Sequence, residues 1–400
     1  MAGQRPGRLL RRREHPQEPS FLELFFDLAF VISFTMLSAR LVHDLDWLNG
    51  VHTAALFVAI WWLWVTTAWS TDWFNPHEPL IRGLVLAVMF AVLLMTGAVP
   101  EAFDEHGVLF AGTYAAVHLG RAALLIPLLR GHPAQRRTMV VAVWFGVSAV
   151  PLMIGAFLPD EARLALWLTA IALDYGVAVL GWPLPLLGRL ESEHLQVVGV
   201  HLAERYQQIF IVALGEIFLV TGMAYAQQGL DMLRTVALAM AFLNAGLLLW
   251  IYFVPSANRL GPALERNRPR VVVYAAYCHA VMVGAVVLTA VGAEVTLDHP
   301  LGEVNAAWSV AIVGGAALYL GGRVLLGALV YELFPWRSLT GMVVLLAALP
   351  GFVRLPPLAV LTAVNVVLLV VIVAYHYGVV RPAANVDSAD ARRRPEPERP

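Results

Sequence analysis

The sequence predicts an all-α fold, a polytopic transmembrane helical bundle of about twelve spans arranged as two parallel six-helix repeats. Three observations lead to this prediction. Of the 400 residues, 59% are hydrophobic and only 14% are charged, a composition that excludes the soluble globular classes. Apolar runs of about 20 residues, the length that crosses a bilayer, recur along the chain. Arginines and acids alternate between successive connections, as the positive-inside rule requires.

The chain opens with an arginine-rich leader, residues 1–20, which lacks the short apolar region and cleavage site of a removable signal peptide. The run at Leu339–Phe352 is the shortest and ends in Pro350 and Gly351. Residues 382–400, rich in Pro, Arg, Asp and Glu, are expected to form a disordered cytoplasmic tail. The apolar runs begin near residues 21, 51, 80, 108, 138, 162, 197, 233, 271, 306, 338 and 357.

Charges in the connections predict the orientation of the chain. The arginines expected in the cytoplasm are Arg130, Arg136, Arg137, Arg259, Arg266, Arg268 and Arg270. The acids of the alternate connections are Asp44, Asp46, Glu101 to Glu105, Asp160, Glu161, Asp298 and Glu303. This pattern predicts a plasma-membrane protein with both termini in the cytoplasm, and Arg354 is the exception.

Weak internal similarity predicts that residues 21–190 and 191–381 are two repeats. Glu23–Val31 aligns with Glu204–Val212, and three further short matches follow in the same order. Because six is an even number of spans, both halves enter the membrane from the same side. The repeats would therefore be parallel, with function expected at their interface.

Ionisable and amide side chains inside apolar runs are the candidate functional residues, because burying such groups in a bilayer is costly. Glu23 and Asp27 lie one helical turn apart on one face. Ser20 and Glu23 also fit a capping box, so a purely local role for Glu23 stays open. The candidates for an ion or substrate pathway are Glu23, Asp27, His118, Arg121, Asp174, His201, Glu204, Arg205, Gln208, Glu216, His279 and Arg323.

Charged residues that lie at similar depths in the membrane are expected to pair. We expect Arg121 to approach Glu23 or Asp27, and Arg323 to approach Glu204 or Gln208, because an unpaired buried arginine is costly. Glu216 follows Arg205 by eleven residues. That is about 16 Å along a helix, too far for a direct pair. Glu216 therefore needs a partner from another helix, or a proton.

Several interpretations of these residues stay open. They form a structural ion-pair network, or they line a pathway for a small cation, a proton or a small polar solute, or the arginines hold an anion. His201 and Glu204 have a spacing that also suits a metal. Trp61, Trp62 and Trp64 are expected to face lipid or to fill packing space. No catalytic motif or phosphate-binding loop is found, so we expect neither an enzyme nor a cofactor, and the lipid bilayer rather than nucleic acid as partner.

The segment Glu23-Leu-Phe-Phe-Asp27-Leu-Ala-Phe-Val resembles the bacterial low temperature requirement A (LtrA) family. His201-Leu-Ala-Glu204-Arg205 and Leu214-Gly215-Glu216 strengthen the resemblance, which covers roughly residues 19–380. It implies a multi-pass membrane protein needed for growth in the cold, without an established biochemical activity. Phe25-Phe-Asp27 is also similar to the Phe-Ser-Asp helix of a lysosomal potassium-channel family, as an analogy. Ion or solute transport is the favoured function, and a non-transporting scaffold or sensor is the alternative.

Overall fold

The computed structural model describes residues 6–11, 18–184, 190, 197–229, 231–256, 258–266, 268–302 and 305–379. These residues form thirteen α-helices and no β-strand. Glu303 and the predicted disordered tail lie outside the described residues. The helices are α1 (Phe21–His43), α2 (Trp47–Trp73), α3 (Pro79–Ala98), α4 (Gly107–Leu128), α5 (Pro133–Ala156), α6 (Asp160–Val179), α7 (Gly199–Gln228), α8 (Met232–Ser256), α9 (Leu260–Glu265), α10 (Pro269–Asp298), α11 (Ala306–Leu329), α12 (Trp336–Phe352) and α13 (Pro357–Val379).

Eleven of these helices are long and apolar enough to cross a membrane. The two others are α9, a connecting helix of 6 residues, and α12, an apolar helix of 17 residues. Since α12 coincides with the shortest apolar run of the sequence, the count of twelve spans depends on this helix and stays a prediction.

Local sequence signals set the start of α1, the helix that carries the first two candidate acids. Ser20 donates from its backbone N and from Oγ to Glu23 Oε2, at 2.8 and 2.9 Å. The backbone N of Glu23 donates in return to Ser20 Oγ at 3.4 Å. The capping box is therefore confirmed, and it leaves Glu23 Oε1 available to another helix.

Helices in the two halves have neighbours in the same order. In the first half α1 packs against α2 and α3, contacts then run in sequence from α3 to α6, and α6 returns to α2. In the second half α7 packs against α8 and α10, contacts run from α10 to α13, and α13 returns to α8. Two six-helix repeats would share this order. A superposition of the halves by rotation about the membrane normal stays a prediction.

The halves meet where α1 packs against α7 and α10, and where α2 touches the same two helices. The most deeply buried candidate span is α2. Its Trp61, Trp62 and Trp64 have no exposed surface, so they fill packing space and do not face lipid. One side of α1, with Phe25 and Leu28, remains exposed.

Small residues allow α10 and α11 to pack closely. A Cβ atom on Gly315 would lie 2.4 Å from Thr289 Oγ1, and one on Gly322 would lie 2.6 Å from Met282 Cγ. These glycines therefore permit the close contact, because any larger side chain would push the two helices apart.

Candidate functional site

Polar residues of α1 and α7 meet along a single row, which we call the α1/α7 seam. Glu23 contacts His201, Asp27 contacts Arg205 and Ser38 contacts Glu216, and each pair is separated by 178 residues in sequence. A constant separation means that the two helices run in the same direction and stay in register. The seam runs from Glu23 to Ser38, which lie fifteen positions apart, or roughly 22 Å along the helix.

An ion-pair cluster occupies one end of the seam, where α1 and α7 begin and α2 ends. It consists of Arg11, Glu23, Asp27, Asp72, His201 and Arg205. Its centre is a bidentate pair, in which Arg205 Nη1 and Nη2 donate to Asp27 Oδ2 and Oδ1 at 3.0 and 2.7 Å. Trp64 Nε1 also donates to Asp27 Oδ1, at 2.8 Å. Asp27 is fully buried, so its charge is compensated by a direct cationic partner and a third donor.

His201 joins three helices within this cluster. Its Nδ1 lies 2.9 Å from Asp72 Oδ1, and its Nε2 lies 3.0 Å from Glu23 Oε1 and 2.8 Å from Arg11 Nη1. A guanidinium can only donate, so Arg11 bonds to Nε2 only when that nitrogen carries no proton. When Nε2 is protonated, it donates to Glu23 instead. The protonation of this nitrogen therefore decides whether Arg11 or Glu23 is its hydrogen-bond partner.

The segment before α1 places Arg11 over the cluster. Its backbone pairs with the end of α2, because Arg11 N donates to Trp73 O at 3.0 Å and Asn75 N donates to Leu9 O at 2.8 Å. Arg11 Nη1 also donates to Thr71 O at 3.2 Å. Arg11, which belongs to the arginine-rich leader, therefore covers this end of the seam.

Glu216 lies at the other polar level of the seam and is fully buried. Thr35 Oγ1 donates to its Oε2 at 2.6 Å, and Ser38 Oγ donates to its Oε1 at 2.7 Å. The expected partner from another helix is thus confirmed, but both donors are neutral. Within the described residues Glu216 has no ion pair, and Glu294 of α10 is a second carboxyl group that interacts with it electrostatically.

The two polar levels are separated by an apolar interval. Arg205 and Glu216 are eleven residues apart, or about 16 Å along α7. Phe30 and Phe34 of α1 are fully buried within this interval. Gln208 also belongs to it, and its Oε1 has no hydrogen-bond partner in the part of the chain that the structure describes.

The predicted pairing of Arg121 is wrong. Arg121 Nη1 donates to Thr66 O and Ser70 Oγ, each at 2.9 Å, and Nη2 lies 3.2 Å from His118 Nδ1. Among the described residues it has no ion pair with Glu23 or Asp27. The reason is helix placement: α4 packs mainly against α3 and α5, while α7 brings Arg205 to Asp27.

The predicted pairing of Arg323 is also wrong. Its guanidinium lies over the Tyr252 ring, 5.9 Å from the centroid. Within the described residues, neither Glu204 nor Gln208 forms an ion pair or a hydrogen bond with it. The reason is again helix placement, because α11, which carries Arg323, packs mainly against α10, α12 and α13 rather than against α7, which carries Glu204.

Asp174 and His279 lie away from the seam, one in each half. Asp174 Oδ2 accepts a hydrogen bond from Tyr114 Oη at 2.6 Å. His279 Nδ1 lies 2.7 Å from Ala275 O, and its Nε2 lies 2.9 Å from Tyr252 Oη. Both residues therefore tie neighbouring helices together within their own half, and the structure does not bring them to the other candidates.

Sequence reasoning missed Arg11 and Asp72 of the cluster, and also Trp64, which donates to Asp27. Asp72 is a buried carboxylate in an apolar helix, so the rule that selected Asp27 also applied to it. Trp64 carried no comparable signal, because indoles are common in membrane helices. The metal interpretation gains no support, since the described residues contain no group of three His, Cys, Asp or Glu side chains suited to a metal ion.

Comparisons with known proteins cover nearly the whole chain. A family model described as bacterial low temperature requirement A protein (LtrA) matches residues 18–373. An uncharacterized protein of Rhizobium meliloti (strain 1021), RA0937, is 33% identical over 374 residues, which are 91% of this chain and 90% of the relative. No solved structure matches the chain.

Proposed function

The chain belongs to the bacterial low temperature requirement A protein family, and we propose that it is a membrane transporter that moves a proton or a small cation along the α1/α7 seam. The observation that supports this proposal is the environment of Glu216. A fully buried carboxylate held by two neutral hydroxyl groups carries a negative charge that its described neighbours do not compensate. A proton or a monovalent cation supplies the missing compensation.

The two hydroxyl groups allow this site to bind and release such a ligand. Thr35 Oγ1 also lies 3.0 Å from Val31 O, and Ser38 Oγ lies 3.1 Å from Thr35 O. Each hydroxyl can therefore donate to the free carboxylate, or turn to a carbonyl of its own helix and offer a lone pair. The first arrangement suits ionised Glu216, and the second suits Glu216 with a bound proton or cation. Exchange between them needs only hydroxyl rotation.

Acids on α10 mark the proposed route to Glu216 from the far end of the seam. Asp298 is the last residue of α10, and Glu294 lies one turn before it on the same face. Glu294 interacts electrostatically with both Asp298 and Glu216. These negative charges favour a cation or proton along a path from the helix end to the buried site. In the predicted orientation, with both termini in the cytoplasm of a plasma membrane, this is the outer end.

The ion-pair cluster would act as the closed gate at the cytoplasmic end. A ligand can pass from Glu216 to that end only when Asp27 and Arg205 separate and the apolar interval opens. Because both partners are buried and bidentate, their separation in a low-dielectric interior is slow and needs compensation. The arrangement is therefore that of a carrier closed at one end.

A scaffold is the second candidate, and the Asp27–Arg205 pair favours it. With Trp64 as an additional donor, this pair joins α1, α2 and α7 and explains the cluster without any transport. It does not explain a buried carboxylate without a cationic partner at Glu216. The two candidates therefore differ in what they predict for that residue.

Flux into liposomes tests the proposal. The purified full chain is reconstituted, and uptake of H⁺, Na⁺ and K⁺ is measured under an imposed gradient against protein-free liposomes. The matched variants are Glu216→Gln, which removes the buried charge, and Glu105→Gln, which makes the same change at an exposed position outside the seam. We expect flux of one of these ions with the wild type and Glu105→Gln and none with Glu216→Gln. Wild-type protein that carries none of the three ions would overturn the transport proposal and favour the scaffold.

A further inference from the structure

A second polar site lies away from the α1/α7 seam, in a cavity of about 60 Å³ between α2, α4 and α5. Its polar lining includes two arginines, a histidine and three hydroxyl groups, and its other walls are aromatic and aliphatic. Among the residues that the structure describes, no carboxylate lines the cavity. These polar lining residues are Thr66, Ser70, His118, Arg121, Arg137 and Thr138.

We propose that this cavity binds a phosphate group, either free inorganic phosphate or the headgroup of a phospholipid. The proposal is independent of the transport function, because it uses none of the residues of the seam. It follows from the charge of the cavity, from its unused hydrogen-bond donors and from its size and position.

Arg121 brings to the cavity a positive charge that its described hydrogen-bond partners do not balance. Arg121 is buried, and its described partners, Thr66, Ser70 and His118, are all neutral acceptors. They satisfy its N–H groups but do not balance its charge. Arg137, also buried, stacks on the Trp73 ring at 3.9 Å and brings a second guanidinium to the same cavity.

Asp72 interacts electrostatically with Arg137 and also belongs to the ion-pair cluster, where its Oδ1 lies 2.9 Å from His201 Nδ1 and its Oδ2 accepts from Val198 N at 2.9 Å. The charge argument therefore concerns Arg121, and an anion in the cavity would balance the charge of this arginine, whose described partners are neutral.

His118 gives the clearest sign of a missing acceptor. Arg121 can only donate, so His118 Nδ1 accepts from it and the ring proton of the neutral imidazole sits on Nε2. His118 is 3% exposed, and its Nε2 has no hydrogen-bond partner within the described residues. A buried donor without an acceptor is destabilising, and a phosphate oxygen would satisfy it. Ser70 Oγ, which accepts from Arg121, offers its own proton to the same ligand.

Size and position both suit a phosphate group. One water molecule needs about 10–15 Å³ of cavity volume in this measure, so the cavity has room for a tetrahedral anion. Arg137 lies near the start of α5, and Ser70 lies in the last turn of α2. The cavity is therefore close to the arginine-rich end of the bundle, where inner-leaflet headgroups and soluble phosphate would both reach it.

Thermal unfolding of the purified full chain in detergent tests the proposal with two pairs of probes. Inorganic phosphate is titrated against chloride at equal ionic strength. Dioctanoyl phosphatidic acid is titrated against dioctanoylglycerol, which has the same chains without the phosphate. We expect a saturable rise of the melting temperature with phosphate or with phosphatidic acid, and none with chloride or dioctanoylglycerol. The probe that acts identifies the source of the phosphate group.

Variants locate the effect. Arg121→Gln should weaken the apparent affinity at least about tenfold, because it removes a charged partner of the anion. Arg136→Gln changes the exposed arginine next to Arg137 and should leave the affinity unchanged. If Arg121→Gln does not fold, Ser70→Ala decides, with an expected weakening of about threefold or more. No saturable effect of either phosphate probe on the wild type, or wild-type affinity in the deciding variant, would overturn the proposal.

Discussion

The two polar levels of the α1/α7 seam hold acids of the same kind in opposite environments. At one level Asp27 meets a bidentate arginine and an indole donor, and every charge has a partner. At the other level Glu216 meets only two hydroxyl groups. Both acids are fully buried, so burial does not distinguish them. What distinguishes them is that Asp27 has a cationic partner, whereas the described partners of Glu216 are neutral.

This difference separates a structural acid from an exchangeable one. Removing Asp27 leaves a buried guanidinium without its counter-charge, so the fold depends on this residue. Neutralising Glu216 leaves no buried cation behind among the residues that the structure describes, because its partners there are neutral hydroxyl groups. We therefore expect the stability effects of charge-removing variants to decrease along the seam, and the functional effects to be concentrated at Glu216.

The largest effect is expected for Asp27→Asn. It should lower the free energy of unfolding by about 3–5 kcal/mol, because Arg205 stays buried without its partner. Equilibrium unfolding in detergent measures the change. Adding Arg205→Met should restore part of the stability, and Asp231→Asn, in the exposed Asp231–Arg234 pair, is the matched control. An Asp27→Asn protein as stable as that control would contradict the account of the cluster.

A smaller effect is expected for Asp72→Asn. An asparagine side chain has only one oxygen, so either His201 Nδ1 or Val198 N would face its NH2 group instead. The free energy of unfolding should fall by about 1.5–3 kcal/mol, the range for hydrogen bonds to charged groups. Asp44→Asn, in the exposed His43–Asp44 pair, tests the same chemistry at the surface. Surface pairs contribute about 0–1 kcal/mol, so equal effects of the two variants would show that burial of the cluster adds nothing.

Thr35→Val should have a still smaller effect, of about 1–2 kcal/mol, because it removes one hydroxyl from a buried carboxyl group. The matched control is Thr362→Val, since the Thr362 hydroxyl donates only to Leu358 O of its own helix. The difference between the two melting temperatures measures the contact with Glu216. Equal melting temperatures would mean that this hydrogen bond contributes no stability.

Sequence patterns predicted local structure better than contacts between helices. The capping box of Ser20 and Glu23 depends on four consecutive residues, so it could be read directly. The partner of Asp27 depends on which helix lies beside α1 and on how that helix is rotated. Arg121 and Arg205 both have a depth compatible with Asp27, and only the packing of α7 against α1 selects Arg205. Depth alone could not make that choice.

For the same reason, the sequence predicted that Glu216 needs a partner but not which residues provide it. Its distance from Arg205 along one helix followed from the sequence, and so did its need for an outside partner. That the partners are the hydroxyls of Thr35 and Ser38 depends on the register of α1 against α7. Three of the seam contacts join residues 178 apart, and the Thr35–Glu216 contact joins residues 181 apart, which is the offset of the aligned repeat segments.

Parallel measurements of flux and melting temperature on the same preparations of Glu216→Gln and Asp27→Asn test the central claim most directly. Glu216→Gln should change the free energy of unfolding by less than about 1 kcal/mol, because an amide replaces the carboxyl group without leaving a buried charge. It should nevertheless abolish ion flux, while Asp27→Asn should act mainly through stability. A well-folded Glu216→Gln protein that carries the wild-type flux would contradict the claim that Glu216 is the exchange site.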